Sequence, residues 1–81
     1  MHYLYILYSR EIDRFYIGSC QDLEQRLRRH NSHHRGYTGK VEDWRIIYTE
    51  EFPNRIKAGQ REREIKSWKS RRLIEKLVQK T

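Results

Sequence analysis

The chain contains very little of several residue types, and each scarcity excludes a class of protein. Of its 81 residues only one is cysteine, one is proline and four are glycine. A lone cysteine, Cys20, excludes an internal disulfide, and the longest apolar run, YLYILY at 3–8, is far too short to cross a bilayer. The chain also starts without a signal-like run. These features predict a cytoplasmic protein in a reducing compartment, with no membrane association.

Acidic residues are also in the minority. The chain has 11 Asp and Glu residues and 18 Lys and Arg residues, which gives a net charge of +7. Such an excess on a short chain attracts polyanions, and nucleic acid is the first candidate partner. No basic amphipathic segment carries the Trp, Phe and Leu face that a membrane surface would need. The alternative is a soluble protein that happens to be basic.

The residue pattern predicts an α+β fold with a single domain over residues 1–81. Runs of aromatic and branched residues indicate strands, and apolar spacing behind capping residues indicates helices. The order is β-β-α-β-α-α: strands at 3–9, 15–20 and 43–50, and helices at about 23–31, 54–69 and 71–80. A polar loop with two glycines, SHHRGYTGK, occupies 32–40. This order predicts a small antiparallel sheet with helices packed on it.

The first two strands form a hairpin around the charged turn REIDR. If the loop has an even number of residues, Tyr5 and Tyr16 point to the same face of the sheet. One such register sets Tyr5 opposite Gly18 and Tyr8 opposite Phe15. Glycine inside a strand leaves space for a close approach, here beside the Tyr5 ring.

Finer predictions concern caps and packing faces. The predicted helix N-caps are Asp22, Asn54 and Ser70. Alternation predicts that one face of the third strand carries Trp44, Ile46 and Tyr48. The apolar stripe of the last helix is predicted to consist of Leu73, Ile74 and Leu77.

Glu62 is the most informative charged residue. In the helix at 54–69, Ala58 and Ile65 define the inward stripe, and Glu62 lies between them. A buried charge without a partner is costly, and the candidate partners are an arginine or a divalent cation. A lone carboxylate at a partly open site suits Mg²⁺, which keeps most of its waters. The alternative places Glu62 at the helix edge, paired with a lysine or arginine.

Arg26 and His30 are four residues apart, on a stripe at the edge of the packed face of the first helix. Arginine binds phosphate through a fork of donors, and histidine moves protons near neutral pH. The alternative is a solvated basic helix face. A zinc site is not supported, because its candidate ligands follow no familiar spacing: Cys20, His30, His33 and His34. Cys20 and Trp68 are interpreted as packing residues.

Together these residues resemble the GIY-YIG nuclease superfamily, and the resemblance covers nearly the whole chain. Tyr16-Ile17-Gly18 matches the second name-giving motif, and Leu4-Tyr5-Ile6 matches the first with leucine in place of glycine. Arg26 in DLEQRLRRHN and Glu62 in AGQREREIKSW occupy the expected elements. GYTGK and WRIIYTEEF look like the small single-domain bacterial branch. Some members have a supporting asparagine late in the domain, whereas no asparagine follows Asn54 here.

The resemblance implies a three-stranded antiparallel β-sheet flanked by helices and a phosphodiesterase that uses one divalent metal, Mg²⁺ or Mn²⁺. Carried over residue by residue, Glu62 would be the metal ligand and Arg26 would hold the scissile phosphate. Tyr5 would be the general base or the group that positions water. Tyr16 would hydrogen-bond in the same site, and His30 matches an assisting histidine. Whether Tyr5, Tyr16 or His30 is the general base stays open.

The basic loop and the end of the first helix are predicted to track a nucleic-acid backbone, and the aromatic residue among them to stack a base. These residues are Arg28, Arg29, His33, His34, Arg35, Tyr37 and Lys40. Their alternative role is simple solubility. We expect an endonuclease acting on DNA, single-stranded or branched, with low sequence specificity and no obligate protein partner. The other hypotheses are a non-catalytic nucleic-acid-binding module on the same fold and a module that binds an acidic protein.

Overall fold

The computed structural model describes residues 1–32 and 34–79. Its strands are β1 (His2–Ser9), β2 (Arg14–Cys20) and β3 (Arg45–Phe52), and its helices are α1 (Leu23–His30), α2 (Arg55–Ser67) and α3 (Arg71–Gln79). The order β-β-α-β-α-α confirms the predicted α+β fold. One turn of 3-10 helix, Tyr37–Lys40, forms within the segment predicted as loop. In this part of the chain no helix is long and apolar enough to cross a membrane.

The three strands form one antiparallel sheet in the order β2-β1-β3, so β1 is central and β2 has a free outer edge. The hairpin register confirms the prediction: Tyr5 pairs with Gly18, and Tyr8 pairs with Phe15. Ser9 pairs with Arg14, which leaves the turn at 10–13 with an even number of residues. Tyr5 and Tyr16 therefore share a face of the sheet.

Alternation along β1 divides the core between the two faces of the sheet. On the first face Tyr5 and Leu7 pack with the buried residues Cys20, Val41 and Trp44, and α1 covers them through Leu23 and Leu27. On the second face Leu4 and Ile6 pack with Ile17 and Ile65 beneath α2 and α3. Cys20 and Trp68 both lie in these clusters, as packing residues.

A bulge in β3 overturns one prediction. Ile6 of β1 pairs with Tyr48, whereas the next residue, Leu7, pairs with Ile46, so Ile47 is an extra residue. The extra residue reverses the alternation of side chains beyond it. Ile46 consequently packs on the first face with Trp44, whereas Tyr48 packs on the second. The prediction that all three share one face is wrong.

The helix starts follow the predicted caps. Asp22 accepts a hydrogen bond from the backbone N–H of Gln25 at 3.0 Å, and Asn54 accepts one from Lys57 at 2.9 Å. The Ser70 hydroxyl accepts from the backbone N–H of Leu73 at 3.3 Å.

The predicted stripe of α3 needs one correction, because Leu73 is 44% exposed. Ile74, Leu77 and Val78 make the contact with the second face of the sheet instead. The last residue of the predicted helix, Lys80, lies outside the described residues.

Candidate active site

Tyr5 lies at the centre of β1 with its ring directly over Gly18. An added Cβ at Gly18 would be 2.5 Å from the Tyr5 hydroxyl oxygen and 2.6 Å from Cζ, distances that real Cβ atoms do not reach. Glycine at position 18 is therefore required for the ring to lie flat across the hairpin. The Tyr5 side chain is 2% exposed.

His30, the last residue of α1, joins the two tyrosines. Its Nε2 lies 2.8 Å from the Tyr5 hydroxyl, and its ring centre is 4.7 Å from that of Tyr16. The sequence placed His30 at the edge of the packed face, but it is buried. The reason is the segment after α1, which turns back so that Thr38 bonds Nδ1 of the ring at 2.8 Å.

Burial keeps both members of this pair neutral near pH 7. Burial lowers the pKa of His30 to about 4, and the positive charge of Arg26 adds to that effect. Burial also raises the pKa of Tyr5, as does its neighbour Tyr16, whereas Arg26 opposes the rise. Charged forms of either group are disfavoured because the site is removed from water.

Arg26 faces this pair from one turn earlier in α1. It is half-buried, and no carboxylate in residues 1–32 or 34–79 lies within ion-pair distance of its guanidinium. The side chain lines a cleft of about 710 Å³ with Tyr3, Gln21, Asp22, Leu23 and Gln25, and the carboxylate of Asp22 is within this cleft but not within ion-pair distance. An arginine without a protein anion is free to bind a phosphate group.

Glu62 reaches the sheet from α2. One carboxylate oxygen accepts a hydrogen bond from the Ser19 hydroxyl at 2.7 Å, and the other lies 2.6 Å from the ammonium of Lys66. The side chain is 23% exposed. Both interpretations of the sequence therefore hold in part: the carboxylate is turned towards β2, and it is also paired with a lysine.

Lys66 connects Glu62 with the tyrosines across the free edge of β2. Its ammonium lies 5.9 Å from the centre of the Tyr16 ring, on the first face, while it binds Glu62 on the second. Burial raises the pKa of Tyr5 most, Tyr16 and Cys20 add to the rise, and the negative charge of Glu62 makes the smallest of the contributions that raise it.

The five predicted site residues are thus divided between the two faces of the sheet beside β2. Tyr5 and Tyr16, with Arg26 and His30 of α1, belong to the first face, whereas Glu62 of α2 belongs to the second, and Arg26 and Glu62 line separate clefts.

The cleft beside Glu62 has a volume of about 500 Å³. It is lined by Ser19, Arg55, Ile56, Gly59, Glu62 and Arg63. Arg55 and Arg63 are exposed and make no ion pair within the described ranges. The sequence did not single them out, because charged residues at helical spacing are common on any solvated face.

Glu62 offers a hydrated divalent cation a single carboxylate, next to the positive charges of Lys66, Arg55 and Arg63. Among the described residues no group of three His, Cys, Asp or Glu could hold a metal ion. A single carboxylate at an open cleft suits Mg²⁺, which retains most of its waters. Ser19 and Lys66 each occupy one lone pair of Glu62, and an ionised carboxylate has about four.

The residues predicted to contact nucleic acid form an exposed border next to this site. Exposed side chains are found at Arg28, Arg29, His34, Arg35, Tyr37 and Lys40. His33 lies outside the described residues. His34 also makes a contact that the sequence did not predict, because its Nε2 lies 3.0 Å from the Thr38 hydroxyl. The similarity of GYTGK to the small bacterial branch was the one signal that pointed to Thr38.

Comparison with known proteins identifies the family to which this chain belongs. The protein-family model described as the GIY-YIG catalytic domain matches residues 1–76 of this chain. The chain is also similar to the UPF0213 protein BH0048 from Bacillus halodurans, whose structure was determined by solution NMR. Sequence identity is 31%, the match covers 96% of this chain and 82% of that one, and the TM-score is 0.60. No curated protein matches. Because the family model covers nearly the whole chain, the protein belongs to the GIY-YIG family of nuclease-type catalytic domains.

Proposed function

We propose that this protein is a divalent-metal-dependent endonuclease that hydrolyses phosphodiester bonds in DNA, with single-stranded or branched DNA as its substrate. The observation that supports the proposal is the grouping of chemistry-bearing side chains on the two faces of the sheet beside β2. On the first face lie a buried Tyr5–His30 pair and Arg26, which makes no ion pair within residues 1–32 or 34–79, and on the second face lies a carboxylate held by Ser19.

Each side chain has a role that its surroundings support. Arg26 binds the scissile phosphate and stabilises the negative charge that grows on it, because a fixed guanidinium needs no reorganisation. Tyr5, a neutral phenol in this site, orients the attacking water through its hydroxyl. Tyr16 contributes a second hydroxyl beside it, and His30 supports the Tyr5 hydroxyl through their 2.8 Å hydrogen bond.

Glu62 would hold the cation, Mg²⁺ or Mn²⁺. When bound, such an ion acts as a Lewis acid and lowers the pKa of its coordinated water. Ser19 keeps the carboxylate turned towards β2 through its 2.7 Å hydrogen bond. The Lys66 ammonium, 48% exposed, has room to move from Glu62 to a phosphate oxygen.

Substrate binding would use the net charge of +7 and the cationic side chains on both sides of the site. Arg55 and Arg63 border the cleft of Glu62, and the exposed residues after α1 border the cleft of Arg26. Such charges recognise the backbone and not the bases, so sequence specificity is low. Tyr37, 47% exposed, can stack an unpaired base, which favours single-stranded or branched substrates.

A cleavage panel tests the proposal. Single-stranded, duplex and branched DNA, with RNA alongside, would be incubated with Mg²⁺, Mn²⁺ or a chelator. We expect DNA cleavage with metal and none with chelator, and Glu62→Gln should abolish it. Glu64→Gln is the matched control, because Glu64 lies on the same helix but is 57% exposed and paired with Arg61. Salt-sensitive binding without cleavage under any metal would support the non-catalytic binding module instead.

A further inference from the structure

Four hydrogen bonds form a chain from the buried tyrosine to the loop after α1. The Tyr5 hydroxyl lies 2.8 Å from Nε2 of His30, and Nδ1 of that ring lies 2.8 Å from the hydroxyl of Thr38. The same hydroxyl lies 3.0 Å from Nε2 of His34, and Nδ1 of His34 accepts from the backbone N–H of Gly36 at 3.0 Å. Since every hydrogen bond needs one donor and one acceptor, the chain has a direction.

The backbone N–H of Gly36 sets this direction at the outer end. An amide N–H can only donate, so Nδ1 of His34 carries no proton. The ring of His34 is therefore neutral in this arrangement, with its proton on Nε2. That Nε2–H donates to the hydroxyl oxygen of Thr38. The loop holds this geometry tightly, because a Cβ at Gly39 would overlap the carbonyl oxygen of His34.

Thr38 determines through its hydroxyl which nitrogen of the His30 ring carries the proton. Its side chain is 3% exposed, and in the described part of the chain Nδ1 of His30 is the one acceptor within reach of its hydroxyl proton. Leaving a buried donor unpaired costs about 1–3 kcal/mol. Thr38 therefore donates to Nδ1 of His30, and the proton of that ring is on Nε2. His30 is consequently the donor to the Tyr5 hydroxyl oxygen, and not the acceptor of its proton.

We propose that Thr38 and His34 are positioning residues that hold His30 as the Nε2–H tautomer and so make Tyr5 the hydrogen-bond donor to the reacting oxygens. This direction leaves the Tyr5 hydroxyl proton without an acceptor among the described residues, although Tyr5 is 2% exposed, so a water or a phosphate oxygen has to reach the hydroxyl and accept it. The reverse direction would place a proton on Nδ1 of His34 against the N–H of Gly36. The catalytic meaning of this inference rests on the proposed nuclease function, whereas the tautomer itself does not.

Nitrogen-15 NMR of histidine-labelled protein tests the inference, with the His30 signals assigned by their loss in His30→Gln. We expect the parent ring to be protonated at Nε2 and unprotonated at Nδ1. In Thr38→Val the two tautomers should mix, and in Thr38→Ser the single tautomer should return. A parent ring protonated at Nδ1, or a His30 spectrum unchanged in Thr38→Val, would overturn the proposal.

Cleavage kinetics give a second readout. Thr38→Val should lower kcat up to about 100-fold with KM unchanged, the loss typical when a catalytic group is held slightly out of position. A changed KM with kcat retained would contradict the positioning role. If the parent ring is the Nε2–H tautomer but the protein cuts no polynucleotide, the tautomer stands and the nuclease proposal fails. The two failures are therefore distinguishable.

Discussion

The buried histidine makes the stability of the fold depend on pH in a specific window. Burial, with the charge of Arg26, lowers the pKa of His30 from 6.5 to about 4 in the folded protein. Above pH 6.5 the ring is neutral in both the folded and the unfolded chain, so it does not make the free energy of unfolding depend on pH there. Between pH 6.5 and 4 the unfolded chain binds a proton that the folded chain does not. The free energy of unfolding must therefore fall as the pH falls through this window.

The size of the effect follows from the shift. At about 1.4 kcal/mol per pKa unit, a drop from 6.5 to about 4 corresponds to about 3 kcal/mol in total, of which about 2 kcal/mol is lost between pH 7 and 5. Small domains have stabilities of about 5–15 kcal/mol, so the loss is easily measured. Much of this loss of stability occurs at a higher pH than the titration of three carboxylates, Asp13, Asp43 and Glu50. Hydrogen-bond partners lower the pKa values of these carboxylates, and burial opposes the lowering most strongly at Glu50.

Urea unfolding between pH 7.5 and 4.5 measures this dependence. Trp44, 2% exposed, reports unfolding by its fluorescence. His30→Gln is the matched variant, because it removes the titrating group and leaves every other ionisable group in place. We expect the parent to lose about 2 kcal/mol more than the variant between pH 7 and 5. Parallel profiles for the two proteins would refute the assignment of a buried neutral histidine.

Three further predictions concern packing and charge. Gly18→Ala should destabilise the fold by about 1–3 kcal/mol, because its Cβ would overlap the Tyr5 ring, and unchanged stability in urea would show that the ring lies elsewhere. Ile65→Ala, at a fully buried position, should cost about 2–5 kcal/mol, whereas Ile56→Ala, 71% exposed, should stay within about 0.5 kcal/mol. Equal losses in the two variants would contradict the orientation of α2. For single-stranded DNA, Arg63→Ala should reduce the slope of log affinity against log salt by about 0.7, and an unchanged slope would mean that the residue contacts no phosphate.

The hairpin could be predicted from the sequence because its determinants are local. The residues are strand formers, and the turn at 10–13 is short, with Asp13 at a φ of 53° closing it. Alternation then placed Tyr5 and Tyr16 on one face and set Gly18 beside the Tyr5 ring. Period-two alternation and one glycine were enough for this part of the site.

The bulge at Ile47 could not be predicted in the same way. A bulge depends on pairing with β1, which is distant in sequence, and RIIY gives no sign of an extra residue. Alternation was applied through the bulge, and the face of Tyr48 was consequently wrong. The same limit explains Leu73, because which side of α3 meets the sheet is decided by tertiary contacts.

The candidate site was predictable in composition but not in its connections. Patterning and the family resemblance selected the tyrosines, the arginine, the histidine and the glutamate. The contacts of Ser19 with Glu62 and of Thr38 with His30 join residues that no helix or strand period relates. The donor–acceptor direction of the hydrogen bonds through Thr38 depends on the backbone N–H of Gly36, and no residue type in the sequence indicates this contact.

Single-turnover cleavage by Arg26→Ala tests the central claim most directly, because Arg26 is the residue proposed to hold the scissile phosphate and stabilise its growing charge. Arg72→Ala is the control, since Arg72 is exposed on α3 and lies outside both clefts. The account predicts that Arg26→Ala keeps the fold, by tryptophan fluorescence, and slows metal-dependent cleavage about 10²- to 10³-fold. It predicts a parental rate for Arg72→Ala. A folded Arg26→Ala that cuts DNA as fast as the parent would contradict it.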